Sequence, residues 1–386
     1  MGERYLVIGC GFSGAVLANQ LAKSLDCNIE IWDERNHIGG NCHTERDDKT
    51  NIMVHRYGPH IFNTDRKEIW DFVNGFTQFF PYVHRVKARS GDAIYSLPIN
   101  LHTINQFFHK TFSPEEAKKY VDSLALKKYL DPQNFEEQAL RFIGNDLYHA
   151  FFYGYTKKQW GCEPAELPAS ILQRIPVRFT YDDNYHTNSF TGIPVEGYSV
   201  LIRKMISHPR INVFLNRSFS RHIDVSGYDH VFFTGALDAY FDHAYGRLGY
   251  RTVTFEKEYA ESDYQGIAQV NYCDLDVAYT RITEHKHFAP WENHPKTVYF
   301  REYSKETMKG DTPYYPKRLT GDKAMLKLYR TGAEKLVKTS FLGRLATYRY
   351  MDMHHVIGEA KDFAKTFVEL HMDGQPAPVF SNLESY

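Results

Sequence analysis

The sequence has few cysteines and no excess of charge of either sign. Its 386 residues include five cysteines, an odd number with wide spacing and no Cys-x-x-Cys pair. This pattern fits reduced thiols rather than a disulfide or zinc framework. The 46 basic and 47 acidic residues nearly cancel, which argues against a nucleic-acid binder because such proteins carry a basic excess. We therefore predict no metal site and no nucleic-acid partner.

Long apolar segments are also missing. No hydrophobic run is long enough to span a bilayer, and the first motif begins too close to Met1 to leave room for a signal peptide. We therefore expect a soluble, cytoplasmic protein that is not inserted in a membrane. Aromatic residues are abundant instead, with 28 Tyr and 27 Phe, and the length predicts two or three sub-domains.

The N-terminus has the order of a dinucleotide-binding unit. Tyr5–Ile8 is an apolar run typical of a buried parallel strand, and Ala15–Ser24 has apolar residues at helical spacing. Between them Gly9 permits a tight turn, Gly11 lets a pyrophosphate approach the backbone, and Gly14 lets helix and strand pack closely. The helix N-terminus also favours phosphate. The predicted cofactor residues of this turn are Gly9, Gly11, Phe12, Ser13 and Gly14.

A second apolar run, Ile29–Trp32, ends in two acidic residues, Asp33 and Glu34. A carboxylate at this distance is expected to accept a hydrogen bond from a ribose hydroxyl. The following Arg35-x-x-x-Gly39-Gly40 element resembles flavoproteins related to glutathione reductase and the amine oxidases, which favours FAD over NAD. The alternative is a surface turn, because paired glycines often mark loops. The predicted cofactor residues here are Asp33, Glu34, Gly39, Gly40 and Asn41.

The remaining pattern predicts an α/β fold with a discontinuous first domain. Ser113 and Glu116 form a capping box, Gly144 ends a helix, and residues 230–235 suggest a strand that returns to the first domain. Runs rich in Val, Thr, Tyr and Phe predict an antiparallel sheet, since no crossover helices separate them. These runs are 175–179, 251–255, 266–272, 279–283 and 298–303.

We therefore predict a Rossmann-like FAD-binding domain (glutathione reductase/amine oxidase-like) with an inserted helical bundle and an antiparallel β-sheet domain. The predicted boundaries are 1–83, 198–243 and 318–386 for the FAD-binding domain, 84–175 for the helical bundle, and 176–197 with 244–317 for the sheet domain.

Three groups outside the glycine turn suggest ligand binding. Tyr148, Phe151, Phe152 and Tyr155 form an aromatic stripe at helical spacing, followed by Thr156 and Trp160; they predict either a packed core face or a platform for a planar base. Arg174 and Arg281 lie among apolar neighbours, which suits either bidentate phosphate binding or an ion pair. Several tyrosines are candidate phosphate donors or core residues: Tyr185, Tyr314, Tyr315, Tyr348 and Tyr350.

Together these motifs resemble the bacterial UDP-galactopyranose mutases, over essentially the whole length. The most specific segments are Gly39–Asn41, Tyr57–Phe62, Ser96–Asn100 and Gly154–Gly161. Other matching segments are Arg174–Phe179, Tyr279–Lys286, and Gly343–Leu345 with Tyr350 and Asp352–Met353. The resemblance implies an isomerase that uses reduced FAD without net redox change. Flavin N5 attacks the anomeric carbon of UDP-galactopyranose and displaces UDP, the sugar–flavin adduct opens and recloses through O4, and UDP returns to give UDP-galactofuranose. It also implies a homodimer and a furanose product used for cell-surface polysaccharide such as O-antigen.

The resemblance also implies a role for each matching residue. Arg174 and Arg281 are expected to hold the diphosphate, and His60 to face the flavin as a third catalytic residue. The other implied cofactor residues are Ile61, Arg344, Asp352 and Met353. The implied substrate residues are Phe151, Phe152, Tyr155, Thr156, Trp160, Tyr185, Arg251, Asn271, Tyr315, Tyr350, Asn63, His84 and His186.

Two positions depart from the family pattern. Asn63 stands where relatives usually have a second His, and His186 where they usually have Phe. Both are expected toward the sugar end, so the sugar is either galactose, with neutral drift at these positions, or a 2-acetamido or 6-deoxy relative. A flavin amine oxidase or dehydrogenase is a rival, which the paired arginines fit poorly because amine substrates carry no diphosphate. A non-catalytic flavin-binding module is a third interpretation.

Overall fold

The computed structural model describes residues 2–169 and 177–381. A five-stranded parallel sheet lies at the centre of the N-terminal domain. Strand Glu3–Ile8 pairs with Cys27–Trp32 on one side and with His230–Phe233 on the other. The edge strands are Ile211–Phe214 and Thr339–Phe341. The predicted return of residues 230–235 to this sheet is confirmed.

Helices cover this sheet because small and aliphatic residues recur at helical spacing. Helix Phe12–Ser24 buries Ala15, Ala18 and Leu21 completely, and the alanines let the long C-terminal helix Met353–Met372 approach closely. Each fully buried Leu contributes about 1.5–3 kcal/mol. The packing therefore holds the glycine turn, which lies directly before the first helix, in one place.

A second sheet of seven strands is antiparallel except for one parallel pair. Its longest pairing joins Tyr250–Ala260 to Thr297–Glu306. Four of the five predicted runs are strands of this sheet, whereas residues 177–179, the described part of the predicted run 175–179, are not in a strand. In spatial order the strands are Tyr315–Pro316, Tyr250–Ala260, Thr297–Glu306, Arg281–Glu284, Gln269–Tyr272, Val86–Ser90 and Ala93–Leu97.

Two features cross the predicted domain boundaries. The hairpin Val86–Ser90/Ala93–Leu97, predicted within the helical bundle, belongs to the seven-stranded sheet through its parallel pairing with Gln269–Tyr272. That pairing joins residues 183 positions apart in the chain, such as Val86 and Gln269, so the local sequence gave no sign of it. In addition, Phe190–Pro194 pairs with Phe62–Thr64 and with Phe79–Pro81 in a small three-stranded sheet.

The helical part begins after this hairpin. Ser113 and Glu116 form the predicted capping box at the start of helix Pro114–Leu124, and Gly144, with φ of 71°, breaks helix Phe135–Tyr148 as predicted. A π-helical turn, His149–Tyr153, then leads into the short helix Gly154–Trp160. Within the described residues, no helix combines the length and apolarity needed to cross a membrane.

The remaining elements are short, apart from one helix. They are the hairpin Thr44–Arg46/Met53–His55, the helices Lys67–Asn74, Leu101–Phe108, Tyr198–Met205, Leu237–Tyr240, Thr320–Ala333 and Gly343–Ala346, and the 3₁₀ turns Gly40–Cys42, Pro164–Glu166 and His285–Phe288.

Candidate active site

The glycine turn has the geometry predicted for a phosphate-binding loop. Gly9 has φ of 105°, which only glycine adopts readily. A Cβ on Gly14 would overlap the carbonyl oxygen of Gly9, so helix and strand pack as closely as the motif requires. Gly11 is the N-cap of helix Phe12–Ser24 and has no side chain to occupy the helix N-terminus. Free backbone N–H groups therefore face the space above the turn.

The second glycine pair closes over the first loop. Gly39 and Gly40 both have positive φ, 101° and 55°, and the Gly39 N–H donates to the carbonyl oxygen of Cys10 at 2.9 Å. A Cβ on Gly40 would lie 3.2 Å from the Cα of Gly11, and Asn41 follows in the same turn. The two loops thus form a narrow cradle made of backbone.

The two acidic residues after the second strand differ in their surroundings. Asp33 is buried, and its carboxylate accepts from the backbone N–H groups of Cys10 at 2.8 Å and Arg35 at 3.0 Å. This carboxylate therefore holds the two loops together. Glu34 is exposed beside it, and so Glu34 rather than Asp33 has both oxygens open to a ribose.

His60 is held in place by three hydrogen-bonding contacts. Its Nδ1 lies 2.8 Å from the Gly58 carbonyl oxygen, its backbone N–H donates to Nδ1 of His55 at 3.0 Å, and its carbonyl accepts from the Tyr198 hydroxyl at 3.1 Å. Because a carbonyl only accepts, Nδ1 carries the proton and Nε2 is the acceptor. Burial lowers the pKa of His60 to about 4, so the ring is neutral at cellular pH.

Arg344 has two buried hydrogen-bond donors without an acceptor among the residues that the structure describes. Its guanidinium stacks on Tyr315 and Tyr350, at 4.9 Å and 4.5 Å from the ring centroids. Its Nε and Nη2 are buried and lack partners throughout residues 2–169 and 177–381. A buried donor without an acceptor costs about 1–3 kcal/mol. The arrangement therefore favours a bound group with acceptor atoms at this position.

These features fit a flavin dinucleotide. Gly11 and Gly40 face each other, and a Cβ on Gly40 would crowd the backbone of Gly11, so both positions keep the backbone open to a close ligand such as a pyrophosphate. Arg35 Nη1 is a second buried donor that the described chain leaves unpartnered, and Arg344 supplies further donors. The other residues implied for the cofactor have different surroundings. Ile61 is buried beside His60, and Asp352 is the exposed N-cap of the C-terminal helix. Met353 packs against the hydrophobic core between the parallel sheet and its helices.

Arg281 is the described member of the predicted arginine pair. Its Nη2 lies 2.7 Å from Oε1 of Glu302, which is only 1% exposed. Its Nε is buried and lacks an acceptor among the described residues. Arg281 therefore neutralises a buried carboxylate and still has a donor available for a second anion. Arg174, the other predicted member, lies outside the described residues.

Tyrosines surround Arg281. Burial raises the pKa of Tyr155, Tyr185 and Tyr315, and the charge of Arg281 opposes that shift in all three. Tyr315 and Tyr350 stack with centroids 6.0 Å apart, and Trp160 reaches Tyr315 at 6.4 Å. The structure thus gathers neutral phenols and one arginine, as expected for recognition of a diphosphate. Tyr348 is buried elsewhere, and its hydroxyl oxygen lies 2.7 Å from the Gly249 carbonyl oxygen and 2.9 Å from Oδ2 of Asp322.

The aromatic stripe divides into two parts. Phe151 and Phe152 are buried and contact other rings of the helical core, such as Tyr95 and Phe135. Tyr148 is also in that core, and Thr156 is buried. Tyr155 and Trp160 are partly exposed toward Arg281 and Tyr315. The core interpretation is therefore confirmed for Tyr148, Phe151 and Phe152, whereas the platform for a planar base stays a prediction for Tyr155 and Trp160.

Two other predicted substrate residues have partners within the protein. Arg251 is buried, and its guanidinium donates to the carbonyl oxygens of Gln159 at 3.0 Å and Lys158 at 3.3 Å. It therefore supports the end of helix Gly154–Trp160 from behind. Asn271 lies directly opposite Arg281 on the neighbouring strand and accepts from the side chain of Gln269 at 2.8 Å.

The residues expected at the sugar end lie together. Asn63 faces Thr191 across two strands. His84 is buried and stacks on His186 with centroids 6.0 Å apart, and both rings are neutral because burial lowers their pKa to about 3 and about 4. The charge of Asp352 partly opposes the lowering of the His186 pKa, and the charge of Arg281 lowers the pKa of His84 further. A cavity of about 240 Å³ adjoins this group, lined by His84, His186, Asn184, Thr187, Asn188 and Thr191, among others.

Sequence reasoning missed Glu302 and Lys158. Glu302 is the carboxylate that orients Arg281, and Lys158 donates to carbonyl oxygens in the loop that precedes Arg281. The alternation of strand Thr297–Glu306 places Glu302 on the same face as buried Phe300 and Val298, so an inward carboxylate was a usable signal. For Lys158 we find no signal in the sequence.

Comparison with known proteins agrees with this geometry. Residues 150–350 match a family model described as UDP-galactopyranose mutase, and residues 7–76 match one described as an NAD(P)-binding Rossmann-like domain. Relatives include a probable UDP-galactopyranose mutase of Klebsiella pneumoniae, 51% identical with 98% of each chain covered. A dTDP-fucopyranose mutase of Escherichia coli is 50% identical, with 95% of this chain and 99% of that protein covered.

A solved structure shares the fold. A reduced UDP-galactopyranose mutase superposes with a TM-score of 0.75, covering 97% of this chain and 96% of that one at 14% identity. At this identity the likeness concerns the architecture alone, which is the predicted α/β fold with a Rossmann-like domain. The sequence relatives and the family model carry the assignment further: the chain is an isomerase that belongs to the UDP-galactopyranose mutase family.

Proposed function

We propose that the protein binds FAD and, in the reduced state, interconverts UDP-galactopyranose and UDP-galactofuranose. The observation that carries this proposal is the pair Arg281 and Arg344: each has a buried donor without a partner among the described residues, and both lie close to Tyr315. An amine oxidase would have no use for a diphosphate grip of this kind. When bound, reduced FAD supplies a nucleophile for the anomeric carbon. The protein supplies binding, orientation and charge.

The residues of the chain divide this work. Gly11, Gly40 and Arg344 would hold the cofactor, and Arg281 with the phenols of Tyr185, Tyr315 and Tyr350 would hold the diphosphate. A nucleotide leaving the sugar then stays beside the anomeric carbon and can return to it, which is the benefit of holding reactants together. Arg174 is proposed as a second cation for the diphosphate.

His60 is proposed to act as a neutral acceptor. Its lowered pKa and protonated Nδ1 leave the lone pair of Nε2 available, and Arg344 and Arg281 both lie close enough to lower its pKa further. Nε2 can therefore accept a hydrogen bond from a hydroxyl of the substrate, and the neutral ring adds no charge to the site. We propose that this hydroxyl lies between the cofactor and the diphosphate. Tyr155 and Trp160 would contact the nucleobase.

A second candidate substrate is dTDP-fucose, a 6-deoxy sugar. The Escherichia coli relative named for it is as similar as the mutase of Klebsiella pneumoniae, and the neutral group of Asn63, His84 and His186 adjoins a cavity of about 240 Å³. A neutral site selects by shape and hydrogen bonding, and one missing contact changes specificity by about 1–3 kcal/mol. A 2-acetamido sugar is a third candidate because the cavity is lined by amide and hydroxyl groups.

The test is a substrate panel with dithionite-reduced protein. UDP-galactose, dTDP-fucose and UDP-N-acetylgalactosamine are each incubated with it, and the products are separated by chromatography and identified by NMR. We expect furanose product from at least one sugar with the flavin still reduced, and none from oxidised protein. Release of peroxide without isomerisation would instead indicate an oxidase. A clear preference for UDP-galactose would remove the 6-deoxy and 2-acetamido candidates.

Three further proposals concern the setting of the enzyme. We propose that it is cytoplasmic, that it forms a homodimer, and that its product serves as a furanose donor for surface polysaccharide. Light scattering of the purified protein tests the dimer, and loss of furanose from the surface glycan of a deletion strain tests the last.

A further inference from the structure

Lys158 is surrounded by backbone oxygen atoms of a loop that follows it by more than a hundred residues. Its Nζ lies 2.8 Å from the carbonyl oxygen of Tyr272, 2.7 Å from that of Asp274, 2.8 Å from that of Val277 and 3.1 Å from that of Tyr279. An ammonium has only three protons, so these four acceptors use its full capacity. The loop 272–279 is therefore folded around this one side chain.

This arrangement is costly. Burial lowers the pKa of Lys158 to about 8, because an ammonium loses its hydration when it leaves water. The neighbouring Lys157 shows the usual alternative, an exposed side chain paired with Glu163 at the surface. Lys158 thus has a specific structural task that Lys157 lacks.

Other contacts join the same helix and loop. The sulfur of Cys273 lies 3.5 Å from the carbonyl oxygen of Phe151, and a Cβ on Gly154 would overlap the Cys273 carbonyl. At the far end of the helix, Arg251 donates to the last carbonyl groups, which favour a cation. The helix is therefore attached to the seven-stranded sheet at both ends, and Lys158 supplies the hydrogen bonds that attach it to the loop 272–279.

The two parts that Lys158 joins carry different halves of the proposed nucleotide site. The helix carries Tyr155 and Trp160, proposed for the base. The loop 272–279 connects Asn271 to Arg281, the latter proposed for the diphosphate. Any shift of the loop relative to the helix would change the distance between the base site and the diphosphate site.

We propose that Lys158 is a positioning residue that fixes the separation of these two sites, so that a nucleoside diphosphate binds both at once. This inference rests on the proposed nucleotide-sugar function. When two sites are held at the correct spacing, binding at the first greatly raises the effective concentration at the second. A ligand that spans both sites gains from this effect, and a ligand that fills one site does not.

The test compares Lys158→Met with Lys157→Met in the full FAD-loaded protein. Dissociation constants are measured for UDP, which spans both sites, and for uridine and pyrophosphate, which each fill one. We expect Lys158→Met to raise the dissociation constant of UDP at least about tenfold, since an incorrect spacing of the two sites removes part of the affinity gained by filling both with one ligand. Uridine and pyrophosphate should change much less. Lys157→Met should leave all three unchanged.

Other outcomes would overturn the proposal. Equal weakening of UDP, uridine and pyrophosphate would mean that Lys158 merely stabilises the fold, and unchanged UDP affinity would mean that it does not position the sites. If the wild-type protein binds neither UDP nor dTDP, the proposed function itself fails. If Lys158→Met does not fold, hydrogen exchange of the wild-type protein provides the test. Binding of pyrophosphate alone should slow the exchange of amides in residues 149–160. Slower exchange confined to the strand of Arg281 would refute the coupling of the two sites.

Discussion

Replacing Arg281 by lysine separates its two roles. In the structure Nη2 neutralises Glu302, while Nε is buried without an acceptor among the residues described. A lysine ammonium is a compact charge that can pair with Glu302, but it cannot also present a planar donor in the direction of Nε. Arg281→Lys should therefore keep the fold and lose part of the grip on the diphosphate.

The size of the loss follows from the single donor removed. A hydrogen bond to a charged group contributes about 1.5–3 kcal/mol, and each 1.4 kcal/mol is about a factor of ten in a dissociation constant. UDP should therefore bind about ten- to a hundred-fold more weakly to Arg281→Lys, and kcat/KM for the nucleotide sugar should fall at least as much. FAD content and the melting temperature should stay close to those of the wild type.

Arg281→Met provides the contrast. It leaves the buried Glu302 without a cation, which costs about 3–5 kcal/mol when one partner of a buried pair is removed, so this variant should also be less stable. Calorimetric titration with UDP and thermal unfolding distinguish the two effects. Arg46→Lys, at an exposed pair with Glu292, is the control and should change neither. If Arg281→Lys binds UDP as tightly as the wild type, the unpartnered Nε has no role in binding and the reasoning is wrong.

Three other predictions concern the cofactor and pH. Gly14→Ala should yield folded but largely FAD-free protein, because the new Cβ overlaps the Gly9 carbonyl; the ratio of flavin to protein absorbance measures this. Arg344→Gln should lower the flavin midpoint potential, because a cation favours the anionic reduced form. The expected decrease is on the order of 30 mV or more, the equivalent of about 1.4 kcal/mol for two electrons. Dye-linked titration measures the potential, and an unchanged value would contradict the placement of Arg344 beside the flavin. The free energy of unfolding, measured in urea, should fall as the pH drops from 6.5 toward 4 and below. In the folded protein the pKa of His60 is about 4 and that of His285 about 3. The unfolded chain takes up the same protons near pH 6.5, so acid favours the unfolded state. His285→Phe should flatten that slope, and an unaltered slope would count against buried histidines as the cause.

Local patterns allowed much of the fold to be predicted. The glycine turn, the capping box at Ser113, the break at Gly144 and the strand near residue 230 are confirmed because each depends on residues close together in the chain. Steric and hydrogen-bonding requirements at such positions leave few alternatives. The hairpin at residues 86–97 was misplaced because its partner strand is distant in sequence.

The candidate site shows the same division. Which residue types would contact a dinucleotide and a diphosphate followed from motifs and from the resemblance to a family. The sequence did not show which donors and acceptors of each side chain remain available for a ligand, since this depends on the partners that the side chain acquires on folding. Asp33 turned out to be occupied by backbone N–H groups, and Arg251 by helix carbonyl oxygens. Burial by distant segments decides such pairings.

The order of residues along the chain was enough to predict a Rossmann-like domain, a helical part and an antiparallel sheet, and it also led to the prediction that a set of arginines and tyrosines binds an anionic ligand. How those residues are used became visible in the folded chain: Nη2 of Arg281 pairs with Glu302 while its Nε has no acceptor among the described residues, and Lys158 donates to carbonyl oxygens of the loop before Arg281. The reason is physical. Propensities and turns act within a few residues, whereas the hydrogen bonds and charges of a buried site are set by groups that meet only after the chain has folded.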